Sequence, residues 1–469
     1  MNTVASLPTD FEITEEIEQI CEEVREGKNL FVTGRAGTGK STLLAYLRSQ
    51  VLDQRHMVVG FTGVSALNVD GQTIHRFFNF KVDVTLDFVL SDEYLPRNRR
   101  IMRDLKTLVI DEVSMVRADL MDCVDASLRR FGPKPGHPFG GVQVIFVGDL
   151  HQLPPIVKRS EMKFINSNYE TPFFFSAHSV EDLEYRRIEL THIFRQSDPE
   201  FIEILNAIRH DEATPELLAA LNSRVDVDFV PENGDFYLTL VTKKQLAIDI
   251  NLENLREIPS ENYLSIAQVT GSVTGDEFPT DMNLNFKAGA QIMLVNNDGQ
   301  ERWVNGTIAV IESVHIDAVK SQDSFVRIRI PERDETYDVH RFTWDVKRPR
   351  SLGDRLVYDT VGSFTQFPFI LAWAITVHKS QGKTFDKVII DLSQPTFTSG
   401  QLYVALSRCR SLEGTVLRRP VTEDHVIVDG RIARFVAWTP DVTTLAYGDR
   451  PRSGTGRPSR QSGIRKRGW

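Results

Sequence analysis

Gly34-Arg-Ala-Gly-Thr-Gly-Lys-Ser41, followed by Thr42, has the residue types and spacing that bind phosphate. Glycines let backbone N–H groups turn toward one point, and a helix starting at the end of such a loop adds favourable partial charge. Lys40 is placed to reach the β- and γ-phosphates of a nucleotide, and the Ser41 hydroxyl to ligate Mg²⁺. Gly34, Gly37, Thr38, Gly39, Lys40, Ser41 and Thr42 are therefore the expected nucleotide contacts. A second element, Leu108-Val-Ile-Asp-Glu-Val-Ser-Met115, is an apolar run ending in two carboxylates. Two acids after a strand are usually a solvated strand end, but a phosphate loop upstream gives them a partner. Asp111 is then expected to hold Mg²⁺, through water, and Glu112 to orient or deprotonate the attacking water. A third element is Val144-Ile-Phe-Val-Gly-Asp-Leu-His-Gln-Leu-Pro-Pro155. Gln152 donates and accepts at once, which suits sensing a γ-phosphate or a water. His151 reads equally well as a hydrogen-bonded loop histidine and is given no catalytic role.

These residues need a sheet to bring them together. Leu30–Thr33, Met57–Phe61, Thr107–Ile110 and Val142–Val147 are short apolar runs of the kind that form buried parallel strands, with helices expected at Lys40–Gln50 and Arg117–Arg130. Alternating strands and helices predict an α/β domain with a parallel sheet. The pattern restarts with a strand at Tyr237–Val241, a helix at Gln245–Leu255, a strand at Lys387–Leu392, a helix at Gln401–Arg408 and a strand at Gly414–Arg418. Ligands of such sheets gather at the carboxyl ends of the strands, where all three motifs stop. Between these stretches the texture becomes β-rich, as in Phe325–Ile330 and Thr336–Val339, which predicts a small inserted β-barrel. The expected division is a first domain over 1–190, with an insertion at about 81–100, and a second over 191–297 and 366–440. The barrel is expected at 298–365, and the tail at 441–469 as a disordered basic segment.

Composition narrows the class. The 469 residues are 41% hydrophobic and 25% charged, as in a soluble globular protein. No run approaches a membrane span, and the N-terminus lacks a secretory signal, so a cytoplasmic, non-membrane protein is expected. Cys21, Cys123 and Cys409 are far apart and form no CxxC pair, which argues against a zinc or iron–sulfur site. The net charge of −9 is weak evidence about nucleic acid, because Asp449–Trp469 alone carries seven basic residues and one acidic. Any DNA binding must use a local channel, not a globally basic surface.

A phosphate loop and an acid pair mean only a nucleotide hydrolase. GRAGTGKS, DEVSM and GDLHQLPP, however, resemble motifs of superfamily 1 helicases, in particular the petite-integration-frequency family and its RecD-like relatives. The likeness continues through Pro138-Phe-Gly-Gly-Val-Gln143, Leu190-Thr-His-Ile-Phe-Arg-Gln196, Ala374-Ile-Thr-Val-His-Lys-Ser-Gln-Gly-Lys-Thr384 and Gln401-Leu-Tyr-Val-Ala-Leu-Ser-Arg408, over about residues 27–420. It implies two RecA-like P-loop domains, ATP and Mg²⁺ as cofactors, and 5′-to-3′ movement on single-stranded DNA with unwinding of duplex or forked DNA. A monomer is expected; protein partners are not indicated.

The resemblance also assigns roles. Arg195 and Arg408 are expected to reach across the cleft from the second domain to the γ-phosphate, with Gln381 and Gly382 lining the same cleft. Thr62, Gly63, Asn68 and His75 are expected to contact DNA from the first domain, and Thr376, His378, Lys379 and Ser380 from the second. Hydroxyls, amides and a lysine suit phosphate tracking without sequence readout. Phe77 and Phe78 could stack bases, but core is the favoured reading. Gln19 is a candidate adenine reader, and the 81–100 insertion a candidate wedge. An alternative is a translocase, acting on DNA-bound proteins or on RNA, that does not unwind by itself.

Overall fold

A computed structural model describes residues 13–61, 71–81, 83–232, 235–271, 278–300, 302–316, 324–331, 333–352, 355–393 and 398–438. Six parallel strands form the first sheet: β1 (Leu30–Gly34), β2 (His56–Gly60), β3 (Gln72–Thr73), β4 (Thr107–Asp111), β5 (Gln143–Val147) and β6 (Arg186–Leu190). Their spatial order is β3-β2-β4-β5-β1-β6, so β4, β5 and β1 are neighbours. Both faces are covered, which is why the central strands β1, β2, β4 and β5 are nearly continuous apolar runs. Leu30, Val32, Val58, Val109 and Ile145 face helices Glu15–Arg25 and Lys40–Gln50 through Ile17, Ile20, Leu43 and Leu47. Phe31, Leu108, Ile110, Val144 and Phe146 face the other way, into a core that includes helix Ala118–Phe131. Phe77 and Phe78 are fully buried there, in edge-to-face contact with ring centroids 4.9 Å apart.

The 81–100 insertion is anchored, not loose. Tyr94 is buried, and its hydroxyl bonds the Phe78 carbonyl at 2.7 Å and lies 2.8 Å from the Ser127 hydroxyl. Val89 is also buried, whereas Leu95 is exposed beside it.

The second parallel sheet begins with β7 (Leu238–Val241), after which the chain leaves for a long antiparallel excursion. Its strands are β8 (Asn262–Ile266), β9 (Gln268–Gly271), β10 (Asn283–Lys287), β11 (Gln291–Leu294), β12 (Ile308–His315), β13 (Phe325–Ile330), β14 (Glu335–His340), β15 (Phe342–Leu352), β16 (Arg355–Gln366) and β17 (Phe369–Leu371). They pair as β14-β13-β12-β11-β17, β15-β16-β9 and β10-β8. The excursion is therefore wider than the expected 298–365, and its pairings among the described residues form sheets of five, three and two strands. Packing explains the width: Leu284, Phe286, Ile292 and Leu294, from before residue 298, share one core with Val326, Ile328, Phe367 and Phe369. The chain then returns to the second sheet as β18 (Ala374–Thr376), β19 (Val388–Asp391) and β20 (Thr415–Leu417), in the order β18-β7-β19-β20.

Helix Gly430–Trp438 corrects the expected division. It falls in the 366–440 segment assigned to the second domain, yet Ile432, Phe435 and Val436 pack into the core of the first sheet. Phe435 stacks on Phe175 with centroids 4.1 Å apart and planes within 9°. Among the described residues no helix is long and apolar enough to cross a membrane.

Candidate nucleotide cleft and strand-facing segments

β1 ends at Gly34, and the loop that follows opens helix Lys40–Gln50, so its backbone N–H groups converge at a helix N-terminus. Gly37 has φ +88°, and a Cβ there would lie 2.6 Å from the Arg195 Cβ, so only glycine fits. The Lys40 ammonium donates to the carbonyls of Gly34 at 2.7 Å and Arg35 at 2.9 Å. Burial pushes its pKa down, opposed by the charges of Asp149 and Glu112.

The two acids sit at the end of β4. Burial, reinforced by the adjacent Glu112 carboxylate, raises the pKa of Asp111. Burial also raises that of Glu112, against the pull of Lys40 and Arg408. Glu112 is held in the left-handed region, φ +51°, a conformation that is costly for a non-glycine residue and turns its side chain off the strand line. Its carboxylate accepts from the Gln381 side-chain amide at 3.0 Å. The same amide nitrogen lies 3.4 Å from the Gln152 side-chain oxygen. Glu112 and Gln152 from the first sheet thus meet Gln381 from the second.

Ala36–Thr42, Glu112, Gln152, Phe194, Arg195, Gly382, Thr384, Arg408 and Arg410 enclose a cleft of about 400 Å³. Arg408 follows helix Gln401–Leu406 of the second unit and is 1% exposed. Its guanidinium is tied to the Val404 carbonyl at 2.9 Å and the Ser407 hydroxyl at 2.8 Å. Burial, together with nearby Arg195, pushes its pKa down to about 9. Arg195 was expected from across the cleft, but stands on the phosphate-loop side. It follows β6, an edge strand of the first sheet, and the neighbouring Phe194 N–H donates to the Gly37 carbonyl at 2.9 Å. From there its guanidinium donates to the Ser407 carbonyl at 3.1 Å, and burial pushes its pKa down to about 10. Gln19 is not among the residues that line the cleft.

Four residues quoted only as parts of motifs, or not at all, prove central. Asp149 is completely buried and ion-paired with Arg209 at 3.1 Å. Burial alone would raise its pKa, but Arg209 and Lys40 hold it down at about 2. The Tyr403 hydroxyl accepts from the Ala36 N–H at 2.9 Å and donates to Asp149 at 3.4 Å. Gln196 donates to the Ser407 and Cys409 carbonyls at 3.2 and 3.0 Å. Each link joins residues far apart in sequence, so spacing gave no signal. His151 is a packed loop histidine, with burial and Arg209 pushing its pKa down to about 4 and its ring against His210.

Asp149→Asn is expected to leave the buried Arg209 with only its longer 3.6 Å pairing to Glu189, costing up to about 3–5 kcal/mol and lowering the thermal unfolding temperature. An unchanged unfolding temperature would remove this pair from the architecture of the cleft. Because Asp149 is held down, its contribution is complete at neutral pH and is lost as pH falls from the ordinary carboxylate range toward 2.

The strand-facing candidates divide. Thr62, Gly63 and Asn68 lie outside the described residues. His75 sits on helix Ile74–Phe78, capped by the Thr73 hydroxyl, which accepts from the Arg76 N–H at 3.3 Å. Thr376 caps Val377–Ser380 in the same way, accepting from the Lys379 N–H at 3.2 Å. Both segments follow edge strands, β3 and β18, at the carboxyl ends of their sheets. Lys379 is exposed and His378 half-buried. Ser380 is a correction: its side chain is fully buried and its hydroxyl donates to the Val377 carbonyl at 2.7 Å, so it faces the core and not a strand.

Comparison with known proteins agrees with this geometry. A PIF1-like helicase family model matches residues 12–214, and a UvrD-like helicase C-terminal domain model matches residues 371–412. The chain is 33% identical to the ATP-dependent DNA helicase PIF1 of Xenopus laevis over 426 residues, 87% of this chain and 62% of that protein. The chain thus spans less than two thirds of the length of that relative. A crystal structure of Bacteroides sp Pif1 in complex with ADP-AlF4 is 33% identical and superimposes with a TM-score of 0.83, covering 94% of this chain and 100% of that one. Bacteroides Pif1 bound to single-stranded DNA is 35% identical, with a TM-score of 0.66, over 91% of this chain and 96% of that one. The two parallel-sheet units are therefore RecA-like domains, and with identity of this order along the whole of a solved relative, the chain belongs to the PIF1-like helicase family.

Proposed function

We propose that the chain is an ATP-dependent DNA helicase that moves 5′-to-3′ on single-stranded DNA and opens duplex ahead of it. The observation that carries this reading is the cleft itself, where a phosphate loop and Glu112 on one RecA-like domain face Gln381 and Arg408 on the other. ATP held there contacts both domains, so the presence or absence of its γ-phosphate changes how strongly they attract one another. The Lys40 ammonium and the loop N–H groups bind phosphate, Gln152 and Gln381 orient a water beside Glu112, and Arg195 and Arg408 stabilise charge on the transferred group.

The donor set also fits a divalent cation. Asp111, buried, and Glu112, half-buried, are adjacent acids, each pushed toward protonation mainly by desolvation. Among the described residues no group of three or more His, Cys, Asp or Glu side chains converges, so phosphate oxygens and water would complete the coordination. The Ser41 hydroxyl and Asp111 would hold Mg²⁺, which when bound neutralises charge on the β- and γ-phosphate oxygens.

Coupling to DNA rests on chain distance. Thr376 and Lys379, our strand-facing candidates, lie within a few residues of Gln381, which bonds Glu112. A shift of the Thr376–Gln381 segment therefore registers at both a DNA phosphate and the cleft. Opening a base-pair step costs roughly 1.4 kcal/mol in stacking, which a motor supplies by advancing into the fork.

The test is strand displacement on duplexes with a 5′ or a 3′ single-stranded tail, with ATP and Mg²⁺ and Glu112→Gln as the blank. Displacement from the 5′-tailed duplex alone is expected. Displacement from the 3′ tail alone would reject the polarity. ATP hydrolysis stimulated by single strands, with no displacement from either, would replace the helicase reading with a translocase.

A further inference from the structure

Helix Gln401–Leu406 belongs to the second RecA-like domain, yet it is fastened to the first at two points one turn apart. Gly400, its N-cap, has φ +71°, and a Cβ there would overlap the carbonyl oxygens of His151 and Gln152. One turn on, Tyr403 is 3% exposed, with its ring in a core shared with Ala36, Met115 and Leu153 of the first domain. Its hydroxyl accepts from the Ala36 N–H inside the phosphate loop at 2.9 Å. The weaker 3.4 Å bond to Asp149 orients that hydroxyl, and Asp149 is itself fixed by Arg209. Just past the end of the same helix comes Arg408, which lines the cleft where Tyr403 does not.

We infer that the Tyr403 hydroxyl is an interdomain latch that sets the position of Arg408 relative to the phosphate loop. It is a positioning residue: it touches the loop backbone and acts on the reaction through Arg408. The bond requires both domains to be close, so it forms and breaks with the cleft. A hydroxyl on a rigid ring gives this contact a defined length, which a purely apolar contact between Gly400 and the first domain lacks. The inference rests on the proposed ATP hydrolysis, which it deepens.

The test is Tyr403→Phe in the full chain, which deletes one hydroxyl and keeps the ring. Single-strand-stimulated ATP hydrolysis is expected to lose about 10- to 100-fold in kcat, the size of effect that misplacing a catalytic group produces, with KM for ATP nearly unchanged. A loss of packing alone would instead lower thermal stability and leave the kcat of the folded fraction intact. The same substitution is then made on an Arg408→Ala background, with single-turnover hydrolysis as the readout. If Tyr403 works through Arg408, the second loss is far smaller than the first. A kcat within twofold of the parent, or losses that multiply in the double variant, would overturn the latch. A parent that does not hydrolyse ATP would instead sink the functional reading on which it stands, so the two failures are distinct.

Discussion

Arg408→Ala is expected to lower single-strand-stimulated ATP hydrolysis by about 10³- to 10⁵-fold while sparing single-stranded DNA affinity. The side chain is 1% exposed, and burial depresses its pKa to about 9, so the site holds a cation at a cost. Within the protein that cost is offset by the Glu112 and Asp149 carboxylates. Phosphoryl transfer places further negative charge in the same low-dielectric cleft, where a preset guanidinium is worth most. The guanidinium also donates to carbonyls of the Ser380–Lys383 turn at 3.5 and 3.3 Å, so alanine removes a structural tie as well. Arg408→Lys separates the two roles: it retains the charge but not the fork, and is expected to fall between parent and alanine. Near-normal turnover by the alanine variant would end the assignment of Arg408 to the reaction.

Glu112→Gln is expected to bind ATP with parental affinity and to hydrolyse it about 10²- to 10⁴-fold more slowly. The substitution is isosteric, and its amide oxygen can still accept from Gln381, so the contact across the cleft survives. What disappears is the carboxylate that can take a proton from water. Equilibrium binding of a fluorescent ATP analogue, paired with phosphate release, separates the two quantities. Full hydrolysis would show that Glu112 takes no proton, and lost binding would make it a structural residue of the phosphate site.

The parts of this architecture that were legible in the sequence are local ones. Strand, loop and helix from Leu30 to Gln50 are contiguous, and the glycines, Lys40 and Ser41 occupy one turn, so type and spacing carried the chemistry. The apolar runs at β4 and β5 could be read because both faces of a parallel sheet are buried. β6 escaped that rule. Arg186, Arg187 and Glu189 interrupt its apolar pattern, and Arg187 pairs with Glu189 at 3.6 Å. Without β6, Arg195 could not be placed beside the loop instead of opposite it. The Asp149–Arg209 and Ala36–Tyr403 pairs depend on tertiary folding, which no local spacing encodes. Ser380 misled because a hydroxyl among polar neighbours looks available, whereas here it satisfies its own turn.

The helix Gly430–Trp438 has a consequence for the order in which the protein can form. Phe31 and Phe435 touch across nearly the full described chain, with ring centroids 6.1 Å apart. A ribosome delivers Phe31, Phe174 and Phe175 long before Phe435, so the aromatic face that Phe435 covers stays open while the second RecA-like domain and its antiparallel excursion are made. Closing so long a loop carries an entropic cost, which packing of the intervening chain reduces. The first RecA-like domain, made before the second, thus gains Phe435 only after the second has been synthesised, and until then its nascent form leaves Phe175 without that covering ring.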